Sequence, residues 1–258
     1  MEGFDHAEGQ HITVGDARIW CAHRGPPDAP VLVLLHGGFG SVADYDRLVP
    51  ALVPHLRLVA IDSRGHGAST MGSARLSYAR IAEDVEAVCA ALGIARCHLL
   101  GYSDGGIVGL RLAAAGWPRL SRLATVGATW RLLPDDPVRD FVARLTPEGS
   151  RASDPRGHAT YERFNPEPDF AAFVDAVRGL WLDGSETGYP VESVRGIGVP
   201  VLFVRGDSDP FLPLAEQAEL SQRVAGSRLL NLPFAGHDAQ ASEPEAVAAA
   251  LLRFLAPA

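Results

Sequence analysis

Short apolar runs alternating with helical periodicity constrain this chain more than any other feature of it. Val31–Leu35, Leu56–Ile61, Cys97–Leu100, Leu123–Val126 and Val199–Val204 are near-continuous apolar stretches. Strands buried on both faces have this appearance, because each face of the sheet is covered by helices. A weaker strand is expected at Arg228–Leu232. Ile12–Val14 and Ala17–Ala22, split by Gly15-Asp16, read as an antiparallel hairpin at one edge. Between the strands, Ser77 is placed to cap a helix carrying Tyr78, Ile81, Val85, Val88, Cys89 and Leu92 at three-to-four spacing, with Gly93 as its stop. A last helix opens at Ser242-x-x-Glu245, a capping-box spacing, and turns Val247, Leu251, Phe254 and Leu255 inward. The pattern predicts an α/β protein with a mostly parallel sheet and helices on both faces.

From Trp130 to Pro190 the alternation stops. This stretch holds seven prolines and no convincing strand, with two amphipathic pieces at Val138–Leu145 and Asp169–Leu182. Phe170, Phe173, Val174, Val177, Leu180 and Trp181 form a broader apolar stripe than a free surface helix exposes. The expected organisation is therefore a core in two parts, 1–129 and 191–258, with a helical cap at 130–190 over the C-terminal edge of the sheet. At 258 residues, a single core with one insertion fits.

A formal net charge of −8, with Lys and Arg scattered singly, argues against a nucleic-acid or anionic-membrane partner. A small-molecule substrate is expected instead. Cys21, Cys89 and Cys97 show neither redox nor metal-ligand spacing and lie in or beside apolar segments, so they read as buried hydrophobes. No ligand cluster calls for a metal or an organic cofactor. The polar, acidic N-terminus lacks the basic-then-apolar form of a signal peptide, which leads to a cytoplasmic expectation. Nothing in the sequence speaks to oligomeric state.

The chemistry centres on Gly101-Tyr102-Ser103-Asp104-Gly105-Gly106. A Gly-x-Ser-x-Gly pattern is weak alone and becomes specific in context. Here a buried strand precedes it, and a helical pattern at Ile107, Val108, Leu110 and Leu112 follows it, as a nucleophile elbow requires. Glycine is needed at 101 and 105 because a side chain there would strike neighbouring backbone in so tight a turn. Ser103 then stands at a helix N-terminus, where the dipole and the free N–H of Asp104 favour a developing oxyanion.

A serine alkoxide is not available at neutral pH, so a base and a group to orient it must follow. Asp207 and Asp209 lie in the turn after Val199–Val204, and His237 lies on the loop after Arg228–Leu232. Of the nine histidines, His237 alone sits between the last strand and the last helix. Asp209 is the expected acid because Pro210 biases its backbone to be extended, which leaves Asp207 as a turn residue.

These motifs resemble the α/β-hydrolase superfamily, in the branch of capped esterases and lactonases with a serine nucleophile. His36-Gly37-Gly38-Phe39-Gly40 is similar to its His-Gly oxyanion turn. Asp62-Ser63-Arg64-Gly65-His66-Gly67-Ala68-Ser69 resembles its Asp-x-Arg-Gly-x-Gly-x-Ser loop, and Gly206–Asp209 and Gly236-His237 match its acid and histidine turns. The resemblance covers nearly the whole chain. It implies an eight-stranded sheet with a small cap after the sixth strand. It also implies a second oxyanion donor at the N–H of Gly38, with Phe39 as the neighbouring alternative. His36, Arg64 and His66 read as mostly structural. The Ser-Asp-Gly-Gly elbow is similar to that of valacyclovir-hydrolase-like enzymes, and leaves Asp104 either as a first-turn acid or as a carboxylate that reads a cationic substrate.

Hydrolysis of a small carboxylic ester or lactone through an acyl-enzyme is the resulting expectation. Phe39, Tyr102, Trp130, Trp181 and Phe211 are candidate walls of an apolar pocket. Thioester, amide and C–C hydrolysis and perhydrolysis share the scaffold, and a low-turnover small-molecule sensor is the alternative outside enzymology.

Overall fold

The computed structural model describes residues 3–256. Its strands are β1 (Gln10–Val14), β2 (Ala17–Arg24), β3 (Val31–Leu35), β4 (Arg57–Ile61), β5 (Cys97–Tyr102), β6 (Leu120–Val126), β7 (Val201–Gly206) and β8 (Arg228–Leu232). They form one eight-stranded sheet in the order β1-β2-β4-β3-β5-β6-β7-β8. The β1–β2 hairpin and the β2–β4 pair are antiparallel, and every other neighbouring pair is parallel. The helices are α1 (Val49–Leu52), α2 (Tyr78–Ala91), α3 (Asp104–Ala114), α4 (Pro137–Arg144), α5 (Pro147–Ser153), α6 (Pro155–Phe164), α7 (Phe170–Trp181), α8 (Leu214–Arg223), α9 (Ala239–Ser242) and α10 (Pro244–Leu255).

Successive residues of a strand face opposite ways, and both faces of this sheet are dry. On β3, Val33 and Leu35 join the core layer of Val85 and Val88 from α2 and Val108 from α3. Leu32 and Leu34 join the opposite layer with Leu52 of α1 and Leu251 and Phe254 of α10. Two buried faces are what make the strand sequences apolar throughout rather than alternating.

Local signals set the helix ends where the side chain has a free backbone group to reach. Ser77 accepts from the Arg80 N–H at the start of α2, and Gly93 follows its end at a φ of +66°. The capping box expected at Ser242 does not form. Pro244 stands in the first turn of α10 and holds Glu243 at a φ of −127°, so the helix begins one residue later than a Ser242 cap requires. Ser242 instead closes α9, its Oγ donating to the Asp238 carbonyl at 3.4 Å.

The small helical cap follows β6 and consists of α4 to α7. Sequence periodicity finds α4 and α7 but misses α5 and α6, whose sequences PEGSRAS and PRGHATYERF hold too few apolar residues to show a helical period. Pro137, Pro147 and Pro155 all occupy the first turns of their helices, where no intrahelical N–H bond is lost. Asp136, Thr146 and Asp154 cap those turns through their side chains. Of the stripe on α7, Phe170, Phe173, Val174, Val177 and Leu180 are buried, as its breadth predicts, and Trp181 is half-buried. Asn165, after α6, ties the cap to the core: its amide donates to the carbonyls of Gly67 at 3.2 Å and Ser69 at 2.9 Å. Among the described residues no helix is long and apolar enough to cross a membrane.

Candidate active site

From β3 the chain builds β4 on one side and then returns to place β5 on the other side. Loops leaving β3 and β5 therefore diverge above their C-terminal ends, opening a crevice at the switch of direction. Four segments meet there: the turn after β3 with Gly38, the elbow after β5 with Ser103, the turn after β7 with Asp209, and the loop after β8 with His237.

Ser103 has φ 48° and ψ −115°, a strained backbone for a residue with a side chain. Its N–H donates to the Val126 carbonyl at 2.8 Å, and the Gly105 N–H donates to the His36 carbonyl at 3.0 Å, so neighbouring strands brace the turn. A Cβ on Gly101 would collide with the Gly105 carbonyl, and one on Gly105 with the carbonyls of Leu35 and His36. The obstacles are backbone of the central sheet and cannot rotate away. Gly105→Ala is therefore expected to destabilise the fold by about 2–4 kcal/mol, to be measured as a lowered midpoint in urea. Gly179→Ala on α7, where a Cβ meets nothing within 4 Å, is the control.

His237 Nε2 lies 3.0 Å from Ser103 Oγ, and its Nδ1 lies 2.9 Å from Asp209 Oδ2. The other oxygen of Asp209 accepts from the N–H groups of Phe211 at 2.9 Å and Leu212 at 3.2 Å. Asp209 is buried while Asp207 is exposed, so one acid of the turn points at the imidazole and the other at water. A carboxylate bonded to Nδ1 makes that nitrogen the donor and leaves Nε2 to accept the Ser103 proton. Gly127, after β6, has a φ of +60° and lies against the ring; a Cβ there would be 2.9 Å from His237 Nδ1. Sequence reasoning passes over Gly127, although its place just beyond an apolar run at the same sheet edge is the available signal.

The N–H groups of Gly38, Phe39 and Asp104, residues that line one pocket with Ser103, donate to no acceptor among the described residues. Phe39 is held at a φ of +59°. The Gly37 N–H donates to Asp44 Oδ2 at 3.2 Å and the Gly40 N–H to the Gly37 carbonyl at 3.1 Å, which fixes the loop from both sides. His36 accepts the Ser63 N–H at Nε2, 2.9 Å away, and Arg64 makes a two-pronged contact with Asp84 at 2.9 and 2.6 Å. Asp62 accepts the N–H groups of Val42 and Ala68. All of these bonds hold turns.

Asp104 turns its carboxylate into the pocket wall. It accepts from Tyr78 Oη at 2.8 Å and from Trp181 Nε1 at 3.0 and 2.9 Å, one contact to each oxygen. Burial pushes its carboxyl above the usual carboxylate range, against the pull of those two donors. Among the described residues it makes no ion pair. Tyr78 and Tyr189, neither of them evident from sequence as site residues, join the lining of a cavity of about 240 Å³.

That cavity is lined by Gly38, Phe39, Tyr102, Ser103, Asp104, Trp181, Phe211 and His237, and by Phe141 of α4. Trp130, expected as a wall, is not one of its lining residues. It is buried in the core at 1% exposure, with the guanidinium groups of Arg131 and Arg223 each 4.4 Å from its ring. Arg131 in turn pairs with Glu216 and Glu219 of α8, which holds its guanidinium against the Trp130 ring. Among the described residues no group of three or more His, Cys, Asp or Glu side chains could hold a metal ion.

An eight-stranded α/β sheet with serine after β5, acid after β7 and histidine after β8 defines the α/β-hydrolase fold. The sequence pattern of the alpha/beta hydrolase family matches residues 32–250, and the chain belongs to that family. It is 35% identical, over 84% of its length and 87% of the other protein, to a magnesium-chelatase 30 kDa subunit of Rhodobacter capsulatus. It is 28% identical, over 88% of its length and 89% of the other, to a protein of Pantoea ananatis named for carbamate hydrolysis. The carboxylesterase CesB of Bacillus subtilis superposes with a TM-score of 0.76 at 26% identity, covering 96% of this chain and 91% of that one.

Proposed function

We propose that this hydrolase-family protein is a serine hydrolase of small carboxylic esters or lactones, with Ser103 as nucleophile, His237 as base and Asp209 as the group that orients it. The observation that carries the reading is the unbroken chain Asp209 Oδ2, His237 Nδ1 and Nε2, Ser103 Oγ, at 2.9 and 3.0 Å. Ser103 attacks the carbonyl carbon while its proton passes to Nε2. The tetrahedral oxyanion takes hydrogen bonds from the N–H groups of Asp104 and Gly38, with Phe39 the neighbour of the second, each worth about 3 kcal/mol. The imidazolium then protonates the leaving alcohol, an acyl-enzyme remains, and water activated by the same histidine releases the acid.

Likeness to a carboxylesterase supports the ester assignment. A carbamate presents the same carbonyl to the same groups, which accommodates the name of the Pantoea relative. The test is labelling with a fluorophosphonate probe together with turnover of p-nitrophenyl esters. Ser103-dependent labelling with many turnovers is expected. Labelling with one slow turnover would instead mark a small-molecule sensor, and failure to label would sink the nucleophile assignment.

Asp104 adds a selectivity. A buried carboxylate that faces the pocket and lacks a counter-charge is suited to receive an ammonium group of a substrate. Asp104→Asn is expected to lower kcat/KM for amino-acid esters about 100-fold. Neutral esters of the same size should change by no more than about threefold. Steady-state kinetics on matched ester pairs decides it, and equal losses would remove Asp104 from substrate choice.

A further inference from the structure

A second cavity, of about 330 Å³, lies within the cap and meets the pocket over Ser103 at two shared side chains, Phe39 and Phe141. Resting on the proposed serine hydrolase function, we propose that this chamber receives an extended apolar substituent of the substrate, and that the two phenylalanines form the passage to it. The substrate class is then an ester or lactone with a medium-length alkyl chain or an aryl-alkyl group, rather than a short-chain ester.

Leu145, Tyr161, Phe170 and Phe173 give the chamber its aromatic and aliphatic surface, and Gly149 and Ser150 of α5 border it with little bulk, beside the polar groups of Arg144, Asp154 and His158. No residue of α5 is buried. Where Gly149 and Ser150 border the cavity, they leave space that larger side chains would fill. Apolar volume of this kind next to a reaction centre is a place for the ligand.

The passage begins at the reacting carbonyl. Phe39 follows Gly38 directly and lines both cavities. Its ring stands edge-on to Trp181 at 5.5 Å and to Phe173 at 5.2 Å, one on the Ser103 side and one on the chamber side. Phe141 packs on Phe211 at 5.4 Å and on Trp181 at 5.8 Å, yet is 36% exposed. Its ring borders both cavities. Each methylene that passes this pair moves from water onto apolar surface.

The test compares kcat/KM for p-nitrophenyl acetate and octanoate, and for ethyl and octyl acetate, in the wild-type protein and in Ser150→Trp, which fills the chamber remote from Ser103. We expect the octyl chain to raise kcat/KM about tenfold or more on one side of the ester, and the two pairs identify that side as acyl or alcohol. Ser150→Trp should cut the octyl preference about tenfold through KM and leave acetate within about twofold. Should Ser150→Trp fail to fold, octanoate inhibition of p-nitrophenyl acetate turnover replaces it, with octanoate expected to compete at least tenfold more tightly than butyrate. Acetate turnover with no octyl preference in either pair, or equal losses in the variant, overturns the chamber while leaving the serine hydrolase reading intact. Absence of both turnover and fluorophosphonate labelling overturns that reading instead.

Discussion

Ser103→Ala is expected to lower kcat for ester hydrolysis by about five orders of magnitude while leaving the fold and ground-state binding in place. The size follows from the geometry. His237 Nε2 has Ser103 Oγ as its hydrogen-bond partner at 3.0 Å, and without that oxygen the imidazole can only activate water placed less well. In the proposed mechanism what survives comes from the N–H groups of Asp104 and Gly38, which are backbone and do not depend on the side chain at 103. Loss of the hydroxyl also removes nothing from the elbow's bracing, since the bonds that hold it run from the N–H groups of Ser103 and Gly105 to Val126 and His36. Single-turnover kinetics, the unfolding midpoint and fluorophosphonate labelling together check the claim. Retained turnover would refute the assignment of Ser103.

Asp209→Asn is expected to cost about 10⁴-fold in kcat, a penalty far larger than the loss of one surface charge. The carbonyl oxygen of asparagine would keep the N–H groups of Phe211 and Leu212, because they hold the oxygen turned away from the histidine. Its NH₂ group would then face His237 Nδ1. That nitrogen would have to accept, the proton would move to Nε2, and Nε2 would present a hydrogen to Ser103 rather than a lone pair. A wrong tautomer in an unchanged framework gives a loss in kcat with KM and stability nearly constant. A variant that loses activity only by unfolding, seen as a large fall in the urea midpoint, would contradict this account.

Much of this was legible in the sequence because the information is local. The tight turn of the elbow shows in its glycines, Ser103 and Asp209 follow apolar strands, and His237 lies on the loop after the weaker β8. The chain order of those turns is fixed by the fold, so the motifs reinforce one another. Helices α5 and α6 of the cap were harder, since they hold too few apolar residues to show a helical period. Ser242 failed as a cap because Pro244 two residues later sets where α10 begins. Trp130 illustrates the third limit. An aromatic just past a strand end can face the crevice or the core, and its direction was decided by Arg131, Arg223 and the acids of α8, up to 93 positions away.

The sequence by itself determined the α/β class, the order of strands and turns, and the serine at the elbow, because periodicity and steric necessity act over short stretches of chain. Only the tertiary structure decided what surrounds that serine. It joined Asp104 to Tyr78 and Trp181 from two other helices, set Gly127 beneath His237, and left an aromatic chamber beyond Phe39. Those relations depend on how layers stack at the switch point of the sheet, and packing of that kind is written in no single segment.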